Sequence, residues 1–290
     1  WRPTSPMPAV PLVTAFDGTG VNVGVIDNGF EAEPAKDHHK TAVAGALREV
    51  IAPESAEPTD ARGAVTTHGA MVSRVLAGQS VAGDSFPRGV ATGVNLYQAN
   101  RPTSFSNVHL QNLMTAMNAR GVRIINNSWS FTIVASQALP DGSEARPDSA
   151  TVRGYFPMYL TAVTRNNQLL VWANGNESRD NPYLIAGAPY VMPALERGWL
   201  TVTQLESAAD NLALWSDACG VAANWCLSVR TRAKSLTGTS FAAPMVAATA
   251  ALVAQAYPWM DNSALRQTVL STTDDLGDRA RFGWGKLNIE

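Results

Sequence analysis

The chain has 290 residues, 46% of them hydrophobic and 16% charged, with no low-complexity tract. That is material for one large domain, read here as residues 1–290, with a sizeable core. A formal net charge of -2 with scattered lysine and arginine leaves no basic surface for a polyanion, which argues against nucleic acid as a partner.

Residues 1–20 carry Pro3, Pro6, Pro8 and Pro11 and close on Asp17-Gly18-Thr19-Gly20, an extended arm ending in a turn. The opening Trp1-Arg2-Pro3 has no basic segment followed by an apolar one, so a signal peptide is expected to have been removed or never present. Val21 to Ile26 is β-branched and alternating, and predicts a buried strand with Asp27 at its C-terminal end. An Asp there is a turn former or, in an open α/β sheet, a functional group. Residues 31–62 are polar and read as solvated loop, including the adjacent His38-His39, which have no metal-ligand spacing. A helix is predicted from Thr67 to Gly78 with His68 in its first turn, then a strand over 94–99 and a helix over 108–120. Val122 to Ser130 predicts a strand turning polar at its end, 139–147 an insertion, and 151–165 a helix disturbed at Pro157. Gln168 to Ala173 is the next strand, followed by Asn174-Gly175-Asn176-Glu177-Ser178. Alternating strands and helices predict an α/β fold of three layers, a mostly parallel β-sheet flanked by helices on both faces. Short strands are expected at 199–203, 212–215 and 225–229, then an apolar helix through Gln255, a helix over 262–272 and a closing segment over 281–287.

The apolar run from Phe241 to Met260 is long enough to suggest a membrane span, but Pro244, Gln255 and Pro258 and its alanine content favour a buried central helix. No transmembrane segment is therefore expected. The two cysteines, Cys219 and Cys226, flank turn-prone residues and read as two buried thiols or, preferably, a short-loop disulfide suited to an oxidising compartment. Such a loop stabilises by roughly 2 kcal/mol.

Gly238-Thr239-Ser240-Phe241-Ala242-Ala243-Pro244 places a serine where a turn enters that helix, as either an N-cap or a nucleophile facing free backbone N–H groups. A nucleophile needs a base, an orienter for the base and oxyanion donors. The four histidines, His38, His39, His68 and His109, all precede Ser240. This order excludes an α/β-hydrolase plan, and the βα alternation argues against a chymotrypsin-like one. Asp27, His68, Ser240 remains. Val23-Gly24-Val25-Ile26-Asp27-Asn28-Gly29, Thr67-His68-Gly69 and Gly238 to Pro244 resemble the aspartate, histidine and serine motifs of the subtilisin-like serine proteases, over nearly the whole chain.

The resemblance implies an endopeptidase in which Ser240 attacks the scissile carbonyl, His68 takes and returns the proton, and Asp27 orients the imidazole. It places the oxyanion donor at Asn176, or at Asn174 if the register differs, within Ala173-Asn174-Gly175-Asn176-Glu177. Ser128-Trp129-Ser130 resembles the substrate-binding strand, against which a protein or peptide substrate would add as a β-strand, with Ala173, Asn174 and Gly175 also lining the site. Trp129 reads as pocket wall or core, and Glu177 as a selector for basic side chains or a solvated rim charge. Departures are Asn28 in place of a small hydroxyl residue, Ala70-Met71 in place of Thr-His, and Met245 in place of His after Pro244. No cofactor is implied as required. Calcium is frequent in such proteases, but Asp274, Asp275 and Asp278 do not match an EF-hand spacing and no metal site is assigned. Cys219-Gly220-Val221 with Trp225-Cys226-Leu227-Ser228, Tyr257-Pro258-Trp259-Met260 and Arg281 to Gly285 look like protease passenger domains of bacterial autotransporters, implying an exported, monomeric, surface or extracellular enzyme. The reading from another class is a surface adhesion domain on a protease scaffold that no longer turns over.

Overall fold

A computed structural model describes residues 15–30, 38–52, 66–101, 107–130, 137–138, 144–145, 154 and 156–289. In chain order the described elements are β1 (Asn22–Asp27), α1 (His39–Val43), β2 (Leu47–Ile51), α2 (His68–Ala77), β3 (Asn95–Asn100), α3 (Asn107–Ala119) and β4 (Ile124–Asn127). Then follow β5 (Gln137–Ala138), β6 (Glu144–Ala145), α4 (Pro157–Thr164), β7 (Leu169–Ala173), β8 (Trp199–Gln204), β9 (Cys226–Val229), α5 (Thr239–Ala256), α6 (Asn262–Ser271) and α7 (Arg279–Phe282). Seven strands form one sheet in the order β2-β3-β1-β4-β7-β8-β9, and every pairing in it is parallel. β5 and β6 pair with each other, antiparallel.

Strand alternation divides the core into two layers. Val23, Val25, Leu169, Val171, Leu200 and Val202 pack with α2, α5 and α6 on one face, while Ile26, Leu170, Trp172 and Trp199 pack with α3 and α4 on the other. This is the expected three-layer α/β architecture. β1 has β3 and β2 on one side and β4, β7, β8 and β9 on the other, so the sheet reverses direction of growth between β1 and β4. Crevices at such a reversal, beyond the C-terminal strand ends, are where open α/β sheets bind ligands. The register sets Ile26 beside Asn127, which brings Asp27 and Ser128 to that crevice.

Helix α5 is long and apolar enough to cross a membrane by length and composition, yet it is 83% buried inside the domain, between the sheet and the helices α2 and α6. Its alanines let it pack closely on β4, β7, β8 and β9. Cys219 and Cys226 form a disulfide with Cα atoms 5.8 Å apart, joining the segment before β9 to its first residue.

Several local expectations change. The polar stretch 31–62 holds α1 and β2, an edge strand whose Arg48 and Glu49 face solvent. Residues 212–215 form no strand beyond a single bridge at Leu212, because Leu214 is 83% exposed and the following Ser216 and Asp217 turn inward instead. Pro157 opens α4 rather than disturbing it, in the first-turn position where its missing N–H costs nothing. The predicted strand over 122–130 pairs only over Ile124–Asn127. The arm before residue 15, residues 139–143 and 146–147 of the expected insertion, and residues 151–153 and 155 of the expected helix lie outside the described residues.

Candidate active site

Three strand ends and two helix starts converge at the crevice. Asp27 ends β1 with 1% exposure, and both of its oxygens lie against His68 Nδ1, at 2.9 and 3.0 Å. Asn28 N–H donates to Asp27 Oδ1 at 2.8 Å. The start of α2 is docked directly on the residues after β1: Gly69 N–H donates to the Asn28 carbonyl at 2.7 Å and Ala70 N–H to that of Gly29 at 3.2 Å. First-turn amides that no helix can satisfy are thus satisfied by the segment carrying the acid. The approach needs glycine, since a Cβ on Gly69 would stand 2.7 Å from the Asn28 oxygen and 2.8 Å from the Phe30 ring. The imidazole of His68 keeps 29% exposure and packs at 5.8 Å on the ring of Phe241, the residue after Ser240.

Burial presses the His68 imidazole toward the neutral form, but the charge of Asp27 and its hydrogen bond outweigh that, and the net shift is upward from 6.5. Arg101, whose N–H donates to the Asp27 carbonyl at 2.7 Å and whose guanidinium lies over the Trp129 ring, opposes the rise with its own charge.

Ser240 is not the N-cap. Gly238 holds that position and Ser240 lies inside the first turn of α5, where its N–H has no intrahelical acceptor. The residue whose N–H would bond the Ser240 carbonyl in the helical ladder is Pro244, which has none. Ser128 Oγ donates to that carbonyl instead at 2.7 Å, while Ser240 Oγ donates to the Ser128 carbonyl at 3.2 Å. Asn126 Nδ2 donates to Ser128 Oγ at 2.9 Å, so β4 anchors the serine through two polar side chains. Among the described residues Ser240 Oγ and His68 make no hydrogen bond. Ser128→Ala is expected to destabilise the fold by about 1–3 kcal/mol, by leaving the Ser240 carbonyl without its donor. Denaturant titration measures this as a lower midpoint at constant slope, and an unchanged midpoint would mean that solvent replaces the hydroxyl without loss.

Asn176 Oδ1 accepts from Thr239 N–H at 2.8 Å and lies 3.1 Å from the Thr239 hydroxyl. A backbone N–H can only meet the carboxamide oxygen, so the Nδ2 donor is the free end. Asn176 lines a cavity of about 220 Å³ with Ser128, Trp129, Ser130, Ala173, Gly175, Glu177, Tyr183, Thr239 and Ser240. Asn174 stands apart: it is fully buried, its Nδ2 donates to the Asp217 and Ala218 carbonyls, and its N–H and carbonyl are taken by Val202 and Tyr183. Trp129 proves to be both core and wall, 7% exposed and edge-on to Trp172 at 5.1 Å while bordering the cavity. Glu177 Oε2 accepts the Asn176 N–H at 3.0 Å. Burial, then the hydrogen bond and charge of Glu177, push the Tyr183 phenol up to about 12, which keeps it a neutral donor.

Two residues without a local sequence signal also serve the site. Gln204, at the end of β8, accepts the Gly238 N–H at 2.6 Å and donates to the Leu236 carbonyl at 2.9 Å, holding the turn into α5. Asp217 grips the turn after β7. A larger cavity of about 460 Å³ between α3 and α4 is lined, among the described residues, by Asn107, Gln111, Thr161 and other uncharged residues, with no titratable group. Among the described residues no cluster of His, Cys, Asp or Glu is placed to hold a metal ion.

The model of the subtilase family matches residues 18–285. The chain belongs to the subtilase family. It is 30% identical to the Neisserial autotransporter lipoprotein NalP of Neisseria meningitidis serogroup B, an alignment covering 83% of this chain and 27% of that protein. It is 25% identical to serotype-specific antigen 1 of Mannheimia haemolytica, over 96% of this chain and 39% of the relative. The subtilase chain thus spans less than half the length of these relatives. Among solved structures, the prenylagaramide maturation protease PagA superposes with a TM-score of 0.66 at 20% identity, covering 93% of this chain and 91% of its own. The serine protease MycP1 does so with a TM-score of 0.64 at 18% identity, covering 99% and 89%. At those identities the likeness is one of fold.

Proposed function

We propose that this subtilase cleaves peptide bonds in proteins through an Asp27-His68-Ser240 triad, with the Asn176 carboxamide and the Ser240 N–H stabilising the oxyanion. The observation that carries the reading is the buried Asp27 carboxylate on His68 Nδ1, in the crevice that also holds Ser240 and Asn176. With Nδ1 held by Asp27, the imidazole keeps Nε2 for the serine proton, and Ser240 Oγ turns from the Ser128 carbonyl to reach it when substrate enters. Attack on the scissile carbonyl gives a tetrahedral oxyanion, then an acyl-enzyme as His68 passes its proton to the leaving amine; water repeats the steps in reverse roles. An extended peptide adds along Ser128-Trp129-Ser130, its side chain entering the cavity bordered by Glu177 and Tyr183. No cofactor enters this chemistry.

The disulfide and the likeness to an autotransporter lipoprotein support export to the cell surface or beyond; in this reading the chain acts as one peptidase domain and as a monomer. Asn176→Ala is expected to lower kcat by about 10²–10³-fold with KM nearly unchanged, because the donor acts on charge that exists only in the transition state. Steady-state cleavage of a peptide series measures both constants. A loss confined to KM would remove Asn176 from the oxyanion role.

A further inference from the structure

Asp217, in the segment between β8 and β9, is fully buried and holds the turn after β7 at three residues. Its N–H donates to the Gly175 carbonyl at 3.1 Å. Its Oδ1 accepts the N–H of Glu177 at 3.0 Å and of Arg179 at 2.9 Å. Both neighbours of Asn176 are therefore bonded to one residue. Ser178, between the two donors, is held at φ 59, a left-handed conformation that a serine adopts only when its surroundings impose it. The Asp217 carbonyl in turn accepts from Asn174 Nδ2 at 2.8 Å and from the Thr203 hydroxyl at 2.7 Å, so the clamp is rooted on the ends of β7 and β8.

The second carboxylate oxygen, Oδ2, is buried with no hydrogen-bond partner. It packs against the Cα of Gly175, where φ is 135 and a Cβ would stand 2.0 Å away, so that only glycine fits. A buried carboxylate with one oxygen unserved costs stability, and a neutral side chain of the same shape would fill the space at less cost. What the anion adds is two charge-assisted acceptances, stronger than those of a neutral amide, on the two N–H groups that define the turn.

We propose that Asp217 is a positioning residue for hydrolysis, fixing the Gly175–Arg179 turn so that the Asn176 carboxamide is held beside Ser240. The proposal rests on Asn176 being the oxyanion donor. The charged and titratable groups facing Asp217 are Glu177 and Arg179 on the same turn, with Tyr183 behind, on whose ring Arg179 stacks at 4.8 Å. Burial pushes the Asp217 carboxyl up to about 6, against the lowering by its two amide bonds, so the clamp loses its charge within a range that assays reach.

The test is a double-mutant cycle on kcat with Asn176→Ala. Asp217→Ala alone is expected to lower kcat on the order of 10²-fold at pH 8 with KM little changed, the scale on which misplaced catalytic groups act. In the Asn176→Ala background the same substitution should cost far less, since the group it positions is gone. An unchanged kcat, or an equal loss in both backgrounds, would overturn the proposal. If Asp217→Ala does not accumulate as folded protein, Asp217→Asn keeps an acceptor without the charge. It should lower kcat roughly tenfold at pH 8 and not in the Asn176→Ala background. The ratio of wild-type to Asp217→Asn kcat should approach one as pH falls below about 6, where the wild-type carboxyl is itself neutral. A ratio of one at pH 8, or one that does not vary with pH, contradicts the assignment. Asn176→Ala alone separately tests the oxyanion reading.

Discussion

Ser240→Ala is expected to lower kcat on the order of 10⁶-fold while peptide binding persists. Removing the hydroxyl removes the covalent path itself, and His68 and Asn176 then act only on adventitious water. The residual rate should still exceed that in water, because oxyanion donors and substrate positioning remain. The fold should tolerate the change: Ser240 Oγ donates only to the Ser128 carbonyl, at a long 3.2 Å, while the more important bond from Ser128 Oγ to the Ser240 carbonyl stays. Cleavage of a peptide or casein, with binding of an uncleaved peptide followed in parallel, separates the two effects. Residual activity within tenfold of wild type would require another nucleophile.

Asp27→Asn is expected to lower kcat about 10⁴-fold, because an amide at that position holds the imidazole in the wrong tautomer. The pH dependence gives a second, signed readout. In the native chain Asp27 raises the His68 pKa above 6.5 against the effect of burial, so the neutral base is lost, and kcat/KM falls, as pH drops through that raised value. With Asn, burial and the charge of Arg101 remain and the charge of Asp27 does not, so the acid limb should move to lower pH even as the plateau collapses. Stability has the opposite sign. A raised histidine pKa stabilises the native state fully below the unfolded value and loses that contribution as pH rises through the folded one, so the pair holds the fold best where it catalyses worst. An acid limb unmoved in Asp27→Asn would show that another group sets it.

The parallel sheet and its helices were legible because β-branched runs ended in polar residues at regular intervals, and because the alanine content of α5, with Pro244 and Gln255 inside it, favoured a buried central helix over a membrane span. Asp27, His68 and Ser240, singled out by their order along the chain, lie around the crevice at the C-terminal strand ends. β2 escaped because an edge strand exposes Arg48 and Glu49 and pairs on one side only. The strand expected over 212–215 failed for the converse reason, since apolar Leu214 and Trp215 face solvent while polar Ser216 and Asp217 are buried. What remained illegible is chiefly long-range. Ser128 donating to a carbonyl that Pro244 leaves open joins residues far apart in sequence, as does the grip of Asp217 on the Gly175–Arg179 turn. No spacing rule reports such pairs, because each is created by the sheet bringing separate strand ends together.

The most direct measurement is labelling of the native chain with a fluorophosphonate, followed by peptide mapping of the adduct. A single adduct is expected on Ser240, formed rapidly in the native protein and at background rate in His68→Ala. Absence of labelling, or an adduct on any other residue, would contradict a working Asp27-His68-Ser240 triad.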